Sequence, residues 1–206
     1  MTTSASRSEP RLVLATANRA KGRELAALLA GLPCRIHDLA EFPGVALPPE
    51  GPTSYLDNAL GKARAVTAAT GLVALADDSG IEVDALDGRP GVLSARYGGE
   101  GLTDGERNAR MLRELTGVAT ARRTARYRAV VALTAPDGRE ATVEGTVEGR
   151  LLEAPRGEGG FGYDPIFYYP PFGVTFGEIS ATAKHAVSHR GRAMAQAREL
   201  LRSWLG

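Results

Sequence analysis

Leu72-Val-Ala-Leu-Ala-Asp77-Asp78-Ser79-Gly80 is the stretch around which the rest of the chain is organised. A short apolar run bounded by turn residues reads as a buried strand, and the local pattern predicts that Asp77, Asp78, Ser79 and Gly80 stop it. Two adjacent carboxylates then lie at the carboxyl end of a strand, where open α/β sheets bind their ligands. Held so close, both stay ionised only beside something positive: a cation, a basic side chain or the N–H groups of a helix end. The plain alternative is a turn in which Asp77 is a cap and Asp78 is solvated, since Asp-Ser-Gly is ordinary turn chemistry.

Upstream, residues 11–16 form a short apolar run that predicts the first strand, and residues 23–30 carry apolar positions at helical spacing up to Gly31. Between them stands Thr16-Ala17-Asn18-Arg19-Ala20-Lys21. A strand-to-helix turn aims backbone N–H groups and the positive end of a helix dipole at whatever lies over the strand. With a hydroxyl, an amide and the Lys21 charge added, this turn suits a phosphate chain, although it lacks the Gly and Lys-Ser/Thr spacing of a P-loop. Residues 34–39 alternate as a second strand, with Cys34 expected as a small buried residue on it, and residues 42–52 form a Pro/Gly-rich loop that holds Glu50. A long helix follows from Tyr55 to the stop at Gly71, on which Asn58 and Lys62, one turn apart, can face the two aspartates.

Downstream, Thr103 and Glu106 have the spacing of a capping box before a helix that ends near Gly117. Residues 125–135 and 140–149 flank Pro136-Asp137-Gly138-Arg139, a strong hairpin signal. In residues 157–167, glycines around Phe161 and Tyr163 let the backbone approach a flat ligand while a ring face stacks on it, and Asp164 is a fixed acceptor that asks for a ligand. Ser188 is the expected N-cap of the terminal helix, which puts His189 and Arg190 in its first turn. Positive charge there opposes the helix dipole, so an anion or a carbonyl is expected beside them.

The bulk properties narrow the partners. The formal net charge of +1 over 206 residues supplies no general field for a polyanion, so nucleic acid is not expected as a partner and any anion site must be local. The 43% hydrophobic and 24% charged fractions are those of a soluble globular chain, and no apolar segment is long enough to cross a membrane. The single cysteine, Cys34, has no internal disulfide partner, which suits the reducing cytoplasm. Residues 1–10, rich in Ser and Thr, are expected to be a disordered tail, with one folded domain over 11–206.

Taken together, these stretches resemble the inosine triphosphate pyrophosphatase family from about Arg11 to Leu205. Five signatures occur in order: Thr16 to Lys21, Ser54 to Ala63, Asp77 to Gly80 with Pro90-Gly91 and Ser94 to Tyr97, Phe161 to Pro165, and Ser188 to Gly191. The resemblance implies an α/β fold with an elongated mixed β-sheet flanked by helices in two lobes, a homodimer, and magnesium-dependent cleavage of ITP, dITP or XTP to the monophosphate and diphosphate. It implies that Thr16, Ala17, Asn18, Arg19, Ala20 and Lys21 hold the phosphates, and that Asp78 is proton acceptor and metal ligand. Ser79 then contacts the substrate, Glu50 is a further metal ligand, and Phe161, Gly162, Tyr163, Asp164, Lys184, His189 and Arg190 form the base pocket. Asp57 departs from the pattern, since the family more often has Glu there and the shorter side chain reaches less far. The rivals are a haloacid-dehalogenase-type phosphatase, which needs Asp-x-Asp on one face of a strand, a Maf-like pyrophosphatase of different base specificity, and a nucleotide sensor that does not hydrolyse.

Overall fold

The computed structural model describes residues 9–205, so the tail expected over residues 1–10 lies almost wholly outside it. The chain opens with strand β1 (Arg11–Leu14), helix α1 (Arg19–Leu29), strand β2 (Arg35–Asp38), helix α2 (Tyr55–Thr70) and strand β3 (Val73–Val83). Then come α3 (Asp104–Glu114), β4 (Thr124–Thr134), β5 (Glu140–Leu151), β6 (Phe167–Tyr169), β7 (Val174–Thr175), α4 (Ala181–Val187) and α5 (His189–Leu205). All seven strands form one sheet in the order β2-β1-β3-β4-β5-β6-β7. β1 runs parallel to β2 and β3, and every later pair is antiparallel, which makes the sheet mixed as expected.

Local chemistry accounts for the element ends. The Asn18 side chain accepts the N–H groups of Ala20 and Lys21 at 3.0 and 3.1 Å and so caps α1. Ser54 accepts Asp57 N–H at 3.0 Å to start α2, and Gly71 closes that helix in the left-handed region at φ 66°. Asp137-Gly138 turns β4 into β5, with Gly138 at φ 90°. β6, β7 and α4 had no signal in the sequence pattern, and Cys34 is half-buried just ahead of β2 instead of on it.

One expectation is corrected. β3 does not stop at Asp77 but runs through Asp77, Asp78, Ser79 and Gly80 to Val83. Its pairing with β1 does end at Leu75, while the ladder with β4 continues from Ala74 to Val83, with Asp77 opposite Val131 and Asp78 opposite Val130. Backbone partners from β4 override the local turn preference, and the aspartates stand in mid-strand beyond the exit of β1. Side chains alternate across the strand. Leu75 faces the core made by α1 and α5 with Leu12, Leu14 and Val131, whereas Ala74 and Ala76 face α2 with Val13, Val130 and Tyr55. Asp77 therefore points to the α1/α5 side and Asp78 to the α2 side. Past the aspartates, Ile81 and Val83 enter a further core with Met111, Tyr127, Phe167 and Phe176, the second lobe of the fold.

α5 begins at His189, with Ser188 Oγ accepting Gly191 N–H at 3.1 Å. Its first turn lies directly on β5, because Gly145 has no side chain: a Cβ there would overlap the His189 carbonyl and stand 2.6 Å from Ala193 N. Gly145→Ala is expected to cost about 1–3 kcal/mol as an overpacked core does. The check is a urea melt, in which the midpoint must fall relative to the parent.

Candidate active site

The turn after β1 and the middle of β3 meet at the gap that β1 leaves when it ends. Thr16 is buried, and its hydroxyl accepts Asn18 N–H at 3.2 Å, which fixes the turn. Because Asn18 Oδ1 occupies two of the helix N–H groups, the turn offers fewer free backbone donors than the sequence suggested, and the side chains of Asn18 and Lys21 face the cavity instead. Lys21 Nζ stands 3.5 Å from Asp77 Oδ2. The same oxygen accepts Arg190 Nε and Nη2 at 3.1 and 3.0 Å, and Arg190 also donates to Ser79 Oγ at 2.8 Å and to Glu24. Glu24 and Asp77 are thus the anions expected beside the first turn of α5. Burial alone would raise the Asp77 carboxyl, yet Lys21, Arg190 and Lys62 outweigh it and hold the group well below the usual carboxylate range. Glu24 is likewise held low, with Arg190 and Lys184 overcoming its burial.

Asp78 has the opposite fate on the other face of the strand. Its carboxylate accepts Asn58 Nδ2 at 2.8 Å and Ser79 N–H at 2.9 Å, and burial pushes it above the ordinary aspartate value, with Lys62 and Asn58 offsetting part of the rise. Lys62 Nζ donates to Glu50 Oε1 at 2.6 Å and to the Asp77 carbonyl at 2.7 Å, so α2 does turn Asn58 and Lys62 toward this stretch. Lys21 and Asp78 are on opposite sides of β3, but each is among the charges that act on the other. Glu50 is close enough to Asp78 to raise it by repulsion, and Asp57 stands exposed beside Glu50 in a groove at the start of α2. Among the described residues no group of three or more His, Cys, Asp and Glu forms a metal cage. Two hard carboxylates that repel each other fit magnesium, a cation that keeps most of its waters and takes few protein oxygens.

The glycine-rich loop closes the other end. Phe161, Gly162, Tyr163 and Asp164 line a cavity of about 310 Å³ together with Lys184, His189, Arg190, Asn18 and Lys21. Asp164 has its partners within the protein: Lys184 Nζ at 2.6 Å, Phe161 N–H at 2.9 Å and Tyr127 Oη at 3.3 Å. Lys184 Nζ stands 4.6 Å over the Phe161 ring. His189 stacks on Tyr127 with centroids 4.6 Å apart, and burial, with Arg190 and Lys184 nearby, drives its pKa far down and keeps the imidazole neutral. Its Nδ1 is buried without a partner. Asp164 and Arg190, read from the sequence as substrate contacts, are thus bonded chiefly to other side chains, while Lys184 and His189 keep hydrogen-bonding capacity beyond these contacts.

Residues 12–200 match the model of the Ham1 family. The chain belongs to the Ham1 family. Its relatives include the dITP/XTP pyrophosphatase of Geobacter sulfurreducens, 49% identical over 95% of this chain and 98% of the relative. That of Thermus thermophilus is 52% identical over 89% of this chain and 88% of the relative. Among solved structures, a HAM1 protein from Coxiella burnetii superposes with a TM-score of 0.82 at 38% identity, covering 94% of this chain and 99% of the other.

For this Ham1 chain, sequence reasoning missed Glu24, which bonds Arg190, and Tyr127, Asp104 and Arg107, which line the cavity. Glu24 sits in the first helix as an ordinary Glu would, and only its place one turn after Lys21 and the unexplained charge of Arg190 hint at it. The two neighbouring aspartates make opposite expectations. Asp77→Asn leaves Lys21 and Arg190 short of a buried counter-charge and should lose about 3–5 kcal/mol in a urea melt at neutral pH. Asp78→Asn, which removes a charge the fold disfavours, should stay within about 1 kcal/mol of the parent. Acidification separates them further. The stability contributed by the depressed Asp77 and Glu24 is full above their unfolded values near ~4 and is lost as pH falls through the folded values, so the parent's urea midpoint drops below about pH 4 and that of Asp77→Asn drops less.

Proposed function

We propose that this chain hydrolyses non-standard purine nucleoside triphosphates (ITP, dITP and XTP) to the nucleoside monophosphate and diphosphate, and so clears deaminated purines from the nucleotide pool. The observation that carries the reading is that one cavity joins the phosphate turn, through Asn18 and Lys21, to the base loop, through Phe161, Lys184 and His189. A ligand that fills it has an anionic chain at one end and a flat polar ring at the other. The names of the Geobacter and Thermus relatives agree with that chemistry.

Hydrolysis of a phosphoric anhydride is mostly a matter of neutralising and positioning charge. Lys21 and Asn18 receive the phosphates, and Arg190 and Lys21 keep Asp77 charged and fixed beside them. In this reading Asp78, which accepts hydrogen bonds from Asn58 and the Ser79 amide on the α2 face of β3, takes the proton of the attacking water. Magnesium, held by Asp78 and Glu50, would supply the remaining positive charge at the phosphate oxygens. At the other end, the spare N–H of Lys184 meets a 6-oxo group, and an adenine amino group would set donor against donor. The neutral His189 can offer either a donor or an acceptor to the ring edge. We further propose a homodimer in the cytoplasm; among the described residues no helix is long and apolar enough to cross a membrane.

The test is a panel of ITP, dITP, XTP, ATP and GTP with product analysis, with and without magnesium. Diphosphate from the first three, far faster than from ATP and GTP, and loss of turnover on chelation are expected. Orthophosphate as product, or equal rates on all five, overturns the reading. Asp78→Asn should lose roughly 10²–10⁴-fold in kcat with ITP.

A further inference from the structure

Helix α3 has no part in the reading above, yet it holds the base loop. Its start is rigid: Thr103 Oγ1 accepts Glu106 N–H at 3.2 Å, and Glu106 Oε2 accepts Thr103 N–H at 2.8 Å in return. Arg107 Nη1 donates to Leu102 O at 2.6 Å and braces the approach to the helix. From this fixed turn two side chains four residues apart reach one residue of the loop. Asp104 Oδ2 accepts Gly162 N–H at 2.7 Å, and Asn108 Nδ2 donates to Gly162 O at 3.1 Å. Both backbone groups of Gly162 are therefore held by α3, in a conformation (φ 64°) that a side chain would strain.

The residues on either side of Gly162 are the ones that shape the cavity. Phe161 carries the ring that Lys184 covers, and Tyr163 is anchored by its hydroxyl, which donates to Ser94 O at 2.8 Å. Leu102, Asp104 and Arg107 themselves line the same cavity as Lys184 and His189. The grip is uneven: Asn108 is buried, whereas Asp104 is exposed to water.

We propose that Asp104 and Asn108 are positioning residues for the nucleobase: by holding Gly162 from both sides they set the Phe161 ring against the base, and they govern affinity for the base without touching the phosphates. The proposal rests on the nucleotide reading of the same cavity. It is tested with Asp104→Ala, an exposed change at a helix start, alone and combined with Asn108→Ala. Asp104→Asn, which keeps an acceptor for the Gly162 N–H, is the conservative control.

For Asp104→Ala the KM for ITP and the Kd for IMP by calorimetry should rise about 3–10-fold, the loss expected of one hydrogen bond, with kcat within about twofold. The double variant should rise further. Inhibition by inorganic diphosphate should be unchanged in both, and Asp104→Asn should restore most of the affinity. An unchanged IMP Kd in Asp104→Ala overturns the proposal, and so does an equal loss of diphosphate inhibition, which would mark a general disturbance. If the parent binds IMP but releases no diphosphate from ITP, the hydrolase reading fails while the IMP measurements still decide the clasp. A parent that neither binds IMP nor releases diphosphate from ITP overturns both.

Discussion

A guanidinium buried between two carboxylates is the constraint from which the site follows. Arg190 is 1% exposed and bonds Asp77 of β3 and Glu24 of α1 from the first turn of α5. A charge taken that far from water is tolerated only when it is paired and hydrogen-bonded, so the three elements have little freedom in how they meet. The pairing extends in both directions. Lys21 lies on one side of Asp77, and beyond Glu24 come Lys184 and then Asp164, so charges alternate in sign from the turn after β1 to the glycine-rich loop. Side chains already fixed in this way have little reorganisation left to undergo when a substrate arrives.

β3 separates the acid that holds the ion pairs from the one proposed to take the proton. Adjacent residues on a strand face opposite sides, which gives Asp77 to the ion-pair chain and Asp78 to the α2 face. Their environments push the two carboxyls in contrary directions from a common starting value. Such divergence between neighbours is how a fold assigns different work to identical groups. Both carboxyls are buried, and they lie beyond the end of β1 because β1 stops pairing at Leu75 while β4 carries β3 onward.

Much of this was legible in the residues. β1, α1 and α2 follow from apolar spacing, and the structure uses Asn18, Ser54 and Thr103 as the caps of α1, α2 and α3 and Asp137-Gly138 as the turn between β4 and β5. The charge on the first turn of α5 is a local misfit that asks for an anion or a carbonyl, but only the structure shows that Asp77 and Glu24 supply it. What stayed hidden depends on distant partners. The end of β3 was misread because Asp-Asp-Ser-Gly breaks a strand locally, and only the ladder to β4 keeps it extended. Asp164 looked like a ligand's acceptor because its own partner, Lys184, lies twenty residues on. β6 and β7 span three and two residues and α4 seven, too few for any period to show.

The tie between Arg190 and Asp77 joins residues 113 apart in the chain. During synthesis, Asp77, Glu24 and Lys21 all emerge long before the guanidinium that completes their neutralisation. Until α5 docks, the middle of β3 carries an acid that lacks its guanidinium partner, although Lys184 of α4 has already emerged. The neutralisation of Asp77 is therefore among the last contacts the polypeptide can complete as it leaves the ribosome, because it needs the last long helix.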